Sequence, residues 1–235
     1  MVSRPTRTRW CVTGVLRSDV MRIGILGTGT LATALATTWT RTGHDISIGG
    51  RSAERAEVAA KASGARARRL PDVAVDADAV LLAVHWSGAG DILTAAGAPA
   101  GSLSGKALID PTNAVDHGVG VLRTEPGRAF AQDVAELAPG AHVVKALHLF
   151  PSTRWTTAGS PPVTVAMCGD DRQALATVGS LVRDLGGAPA VLGGLDRARQ
   201  LEEVAGFVIT LAFAGVDPQS AIPAVPSGVA DRDEA

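Results

Sequence analysis

The feature that most constrains this chain is a short apolar strand that runs directly into a glycine turn and then into a helix. Arg22-Ile-Gly-Ile-Leu26 is followed by Gly27-Thr28-Gly29-Thr30-Leu31-Ala32, and the helical pattern beyond it ends at Gly43. In a G-x-G-x-x-G/A turn the first glycine makes the bend and the second lets a phosphate approach the backbone. The small third residue lets the helix pack closely on the strand. The unpaired N–H groups and the positive end of the helix dipole meet at the same spot and favour an anion. Glycine turns without a ligand are common, so the string alone is weak. Its place between strand and helix, at the head of an alternating pattern, makes it a dinucleotide-binding fingerprint.

That pattern continues down the chain. Helical stretches at 30–42, 52–63 and 127–137 separate apolar runs at 22–26, 45–48, 79–84, 106–110 and 142–147. Strands rich in Ile, Val and Leu with helices between them indicate βαβ units and a parallel sheet covered on both faces. The fold class is therefore α/β, a Rossmann-type doubly wound parallel sheet, with a smaller C-terminal α+β part. In that part a strand at 163–168 leads into a helix at 172–185, then a short strand at 189–192 and a helix at 196–214. Asp170 or Asp171 is available as the cap of the first of these helices. We expect residues 1–20, with Arg4, Arg7, Arg9 and Arg17, to be a disordered extension. Residues 21–150 then form the nucleotide-binding domain, 151–216 a smaller substrate or dimerisation part, and 217–235 a flexible tail.

Composition narrows the function. A formal net charge of −1 supplies no field for a phosphate backbone or an anionic membrane, so neither nucleic acid nor membrane is an expected partner. The apolar run Ala205–Val216 falls short of the roughly 20 residues that span a bilayer and reads as a buried helix or the contact of a homodimer. The two cysteines, Cys11 and Cys168, support neither a disulfide framework nor a zinc site, and a cytoplasmic location follows as the default. The chain has no tyrosine, which excludes any reductase that protonates its substrate from a tyrosine hydroxyl.

The tip of the second strand indicates which dinucleotide. An NAD site usually offers an acid there to the ribose 2′-OH. Here Asp45 stands at the opposite end of the strand, while the tip carries Gly50 and Arg51, with Arg55 one turn along the next helix. Arginines suit a 2′-phosphate, so NADP is favoured over NAD. In an arginine-rich chain, with 19 arginines and three lysines, the same two residues can also be a solvated helix start.

Met21–Arg51 together with Leu81-Leu-Ala-Val-His-Trp86, Lys106-Ala-Leu-Ile-Asp-Pro-Thr-Asn113, Val143-Val-Lys-Ala-Leu-His148 and Cys168-Gly-Asp-Asp171 resembles, in order and spacing, the coenzyme F-420-dependent NADP oxidoreductases. Leu195-Asp-Arg-Ala-Arg199 and Glu202 are similar to that family's closing motif, and the resemblance covers about 21–216. It implies direct hydride exchange between NADP(H) and a deazaflavin, coenzyme F-420, used as co-substrate. It further implies that Thr28, Gly29, Thr30 and Leu31 hold the pyrophosphate and Arg51 and Arg55 the 2′-phosphate, with Gly27 and Gly50 in the same cofactor site. Val84, His85, Ala146, His148 and Ser152 would border the nicotinamide and its partner ring, with Trp86 and Asn113 in the substrate pocket. Three positions depart from the family pattern: Gly50 stands where a serine is usual, His85 replaces a proline, and Arg197 replaces an asparagine. These departures bear on the second substrate.

Ring-to-ring hydride transfer asks for positioning at roughly 3–3.5 Å and exclusion of water, without a side-chain nucleophile. His148 is the candidate for a catalytic polar contact to a ring carbonyl. Lys145, inside an apolar strand, reads as a snorkelling or edge residue and not as a catalytic lysine. Asp170 and Asp171 read as helix caps and Cys168 as inert core. Two further functions fit the same residues: reduction of another acceptor (a flavin, ferric chelate, imine or ketone), or an NADP-sensing module without turnover.

Overall fold

The computed structural model describes residues 20–223 apart from His117 and Ala158. The expectations for residues 1–19 and 224–235 lie outside the described residues. In chain order the elements are β1 (Arg22–Leu26), α1 (Thr30–Thr42), β2 (Asp45–Gly49), α2 (Ala53–Ser63), β3 (Arg66–Ala67), α3 (Leu70–Val73) and β4 (Ala79–Leu82). They continue with α4 (Ala89–Ala95), β5 (Ala107–Asp110), α5 (Phe130–Leu137), β6 (His142–Lys145), β7 (Val163–Gly169), α6 (Arg172–Asp184), β8 (Gly187–Val191) and α7 (Ala198–Phe213).

The strands form one eight-stranded sheet in the order β3-β2-β1-β4-β5-β6-β7-β8. Every pairing is parallel except β6 with β7. The sheet is thus the expected doubly wound one, Rossmann-like and mostly parallel, and β7 and β8 extend it. Strand order reverses on either side of β1, where an open α/β sheet leaves a crevice at its carboxyl edge.

Each face of the sheet carries a core. One is built of Ile23, Ile25, Leu35, Trp39, Ile48, Leu81 and Ile109 with α6, the other of Leu26, Val80, Leu82, Leu93, Leu108, Val134 and Val143 with α7. Trp39, fully buried on α1, donates its indole N–H to the Leu181 carbonyl at 3.1 Å, and Thr38 donates to the Trp155 carbonyl at 2.6 Å. The C-terminal part is thereby tied to the first βαβ unit by buried polar bonds as well as by the sheet.

Local signals set most boundaries. Gly43 ends α1 in the left-handed region at φ 102, and Ser52 caps α2 by accepting from the Arg55 N–H at 3.2 Å. Of the two acids proposed as caps, Asp171 accepts from Ala174 N–H at the start of α6. Asp170 accepts instead from Leu195 N–H at 2.7 Å, joining the end of β7 to the turn that starts α7. Within the tail expected from 217, Pro218–Ala221 forms a 3-10 turn capped by the Asp217 side chain.

Candidate functional site

A cleft of about 680 Å³ opens at the carboxyl edge of β1, β2, β4 and β5. Its walls are the glycine turn with Thr28, Thr30 and Leu31, the β2 tip with Gly50, Arg51, Ser52 and Arg55, the turn after β4 with Val84 and His85, and Pro111 and Thr112 after β5.

The glycine turn has the form the sequence predicts, for reasons of space. Gly27 sits at φ 130, and a Cβ there would lie 2.1 Å from the Ala83 carbonyl oxygen, so no other residue fits between β1 and β4. A Cβ at Gly29 would meet nothing within 4 Å, which leaves the turn open above its backbone. Gly29 is the N-cap of α1 and has no side chain to accept the first helical N–H groups, and no acid occupies the first turn. These donors therefore face the cleft without an internal partner, a cradle suited to an anion.

At the β2 tip Arg51 and Arg55 are exposed, on either side of the Ser52 cap. Asp45, at the far end of β2, is occupied by an ion pair with Arg66. Gly50 has a structural explanation: a Cβ would approach Thr28 Cγ2 to 2.8 Å, so this chain's Thr28 and the family's usual serine at that position compete for one space.

The inner end of the cleft is organised differently, and here the structure corrects the sequence reading. Lys145 neither snorkels nor lies at an edge. It is fully buried in β6, in register with Asp110 of β5, and its ammonium lies 3.0 Å from Asp110 Oδ2 and 2.9 Å from Glu202 Oε1 on α7. Burial alone would push the Lys145 pKa down, but the two carboxylates outweigh it and hold the pKa above the ordinary lysine value. Lys145 also donates to the Thr112 carbonyl. Asp110 Oδ1 accepts from both the N–H (2.9 Å) and the hydroxyl of Thr112. Glu202 accepts from Phe130 N–H at 2.8 Å and Ala131 N–H at 3.1 Å, capping α5 from another helix.

Sequence reasoning missed Asp110, Glu202 and Thr112. The available signal was charge in apolar surroundings: a lysine in a strand of valines and a glutamate in an apolar helix require one another, because unpaired buried charges are excluded.

Ten of the candidate residues line the cleft: Gly27, Thr28, Gly29, Thr30, Leu31, Gly50, Arg51, Arg55, Val84 and His85. Ala146, His148, Ser152, Trp86 and Asn113 are not among its lining. Asn113 and His148 nevertheless adjoin each other, the Asn113 amide donating to the His148 carbonyl at 2.8 Å, one residue beyond the cleft-lining Thr112. His148 is buried with neither ring nitrogen hydrogen-bonded, and Leu147 before it holds a left-handed φ of 62. Burial, then the Lys145 ammonium, lowers the His148 pKa to about 3, against a weaker pull from the Leu201 carbonyl. The ring is neutral at physiological pH.

Ala146 is fully buried, and Ser152 opens the 3-10 turn Ser152–Trp155. Trp86 packs edge-on to Phe130, with ring centroids 6.4 Å apart, and tilted against His85 at 5.6 Å. His85 accepts from Ser87 N–H across that turn. Cys168 is buried, and that burial pushes its thiol up to about 12, so it is unreactive. Among the described residues no group of His, Cys, Asp and Glu could hold a metal ion, and no helix is long and apolar enough to cross a membrane.

The fold is Rossmann-like, and the cleft lies at the carboxyl edge of its sheet where folds of this class bind dinucleotides. Residues 22–114 match the family described as NADP oxidoreductase, coenzyme F-420-dependent. A candidate F-420-dependent NADP reductase from Arthrobacter sp. FB24 has the same fold, with a TM-score of 0.73 and 26% identity over 84% of this chain and 96% of its own. Metalloreductase STEAP3 of Rattus norvegicus is 28% identical over 192 residues, 79% of this chain, which spans only 36% of the rat protein. A reductive aminase from Aspergillus terreus shares the fold at 19% identity and a TM-score of 0.63, over 84% of this chain and 64% of the fungal one.

Proposed function

We propose that this protein transfers a hydride between NADP(H) and the deazaflavin coenzyme F-420. The observation that carries the reading is the cleft itself, which runs unbroken from two arginines with no acid at the β2 tip, past an open helix N-terminus, to a polar wall at Thr112. In this reading the N–H groups above Gly29 hold the pyrophosphate, and Arg51 and Arg55 the 2′-phosphate. Val84 and Thr112 would border the nicotinamide, and Trp86, Asn113 and the neutral His148 would stand on the acceptor side. Bound there, NADPH would supply a hydride from its ring carbon to the deazaflavin ring carbon, with the accompanying proton coming from solvent. The chain's own residues bind, orient and exclude water, and no tyrosine or nucleophile is required. The family match over 22–114 and the Arthrobacter neighbour support F-420 as the acceptor.

The metalloreductase relative supports a second reading in which the acceptor is a ferric chelate or flavin. The two separate in one assay. Purified protein, NADPH and F-420 are mixed without oxygen and the deazaflavin absorbance is followed. Bleaching at enzymatic rates supports the first reading. A silent mixture, with turnover of FMN or ferric citrate under the same conditions, replaces it with the second. The exposed Val204, Phe207 and Phe213 of α7 support a homodimer through that helix, which sedimentation would register.

A further inference from the structure

We propose that the buried Lys145–Asp110–Glu202 cluster sets the charge and the wall chemistry of the inner end of the cleft, favouring an oxidised, cationic nicotinamide over a reduced, neutral one. The inference rests on the reading of the cleft as an NADP(H) site.

All three side chains are fully buried. Both oxygens of Asp110 and both oxygens of Glu202 accept from donors: Thr112 and Lys145 in the first case, Phe130, Ala131 and Lys145 in the second. With every oxygen accepting and none donating, two carboxylates face one ammonium and the cluster carries one surplus negative charge. The amino end of α5 offsets at most about half of that charge. Of the other titratable groups close by, His148 and Cys168 are neutral for the reasons given above, while the acids Asp170 and Asp196 act on Cys168 and Asp91 lines the cleft, none of which adds a cation. The surplus therefore stands in a region that screens it poorly.

Thr112 carries its effect to the cleft. Its N–H and hydroxyl donate to Asp110, and its carbonyl accepts from Lys145. What remains for a ligand is the hydroxyl lone pairs and a methyl group, a wall that accepts hydrogen bonds and gives none. A nicotinamide ring gains a positive charge when it gives up hydride, so a fixed negative charge behind this wall stabilises the product of that step relative to its reactant. Lys145, Asp110 and Glu202 are positioning residues in this scheme, acting through Thr112 and through the field.

The readout is the ratio of dissociation constants, NADP⁺ over NADPH, measured by titration calorimetry on the intact protein. Glu202→Gln keeps the shape and removes the surplus charge, so we expect it to raise the ratio about fivefold. Asp110→Asn moves it in the same direction. A cluster that is only a structural staple lowers the melting temperature of these variants and leaves the ratio where it was, which would overturn the inference. Wild-type protein provides a test that does not depend on the variants folding. A buried charge is little screened, so raising salt from about 0.05 to about 0.5 M weakens both nucleotides through the exposed arginines and leaves their ratio constant. A ratio that moves with salt overturns the inference while leaving the cleft reading intact. Wild-type protein that binds neither nucleotide removes both.

Discussion

The two ends of the cleft are built by opposite strategies. The outer end, from Gly27 to Arg55, is contiguous in sequence and open to solvent, and it works through backbone N–H groups and through two arginines with no carboxylate ion pair among the described residues, with Asp91 also lining the cleft. The inner end is assembled from β5, β6, α5 and α7, is closed to solvent, and works through carboxylates and an ammonium whose partners are far away in the chain. An outer site of this kind can change residue by residue with little effect on folding, because exposed charges interact weakly with the rest of the molecule. An inner site of this kind cannot, because each charge is the condition for burying the next.

Four substitutions test that contrast. The largest effect is expected at Lys145→Met, which leaves Asp110 and Glu202 facing each other without a cation. A loss of about 3–5 kcal/mol, or roughly 10 °C or more in melting temperature, should appear in thermal denaturation. A change of only a few tenths of a kcal/mol would show that the inner end is as tolerant as the outer one.

His148→Gln should act through pH. The native ring keeps its proton off down to about pH 3, whereas the unfolded chain takes one up near pH 6.5. Below about 6.5 the unfolded state therefore binds more protons, and the native protein loses stability as pH falls toward 3. At pH 5 this amounts to about 2 kcal/mol. The glutamine variant, with no such group, should show a correspondingly shallower fall between pH 7 and pH 5.

At the outer end, Arg51→Ala should leave the melting temperature nearly unchanged and weaken NADPH about tenfold while barely affecting NADH. Equal losses for the two nucleotides would mean that Arg51 does not face the 2′-phosphate. Ser52→Ala, the smallest change, removes the cap of α2 at a cost of about 1 kcal/mol and should loosen NADPH slightly by fraying the turn that places Arg55.

What could be read in the sequence follows the same division. Helices α1, α2 and α6, strands β1, β2 and β4, the glycine turn and the arginine tip are all specified by neighbours a few residues apart, and local pattern suffices for them. The short α3 and α4 and the two-residue β3 went unforeseen because so few residues carry no usable period. The antiparallel pairing of β6 with β7 went unforeseen because alternating apolar runs say nothing of strand direction. Lys145 was misplaced for a deeper reason. Its burial depends on Asp110 across the sheet and Glu202 on the last long helix, and no window of sequence contains all three.

The position of Glu202 also bears on how the molecule comes into being. During synthesis β5, β6 and α5 leave the ribosome well before α7, and until α7 arrives Lys145 has one carboxylate where the finished fold supplies two, while the first N–H groups of α5 lack their acceptor. The segment up to β6 thus holds a nascent inner wall that its own residues cannot complete, and arrival of α7 turns that half-built wall into a finished one.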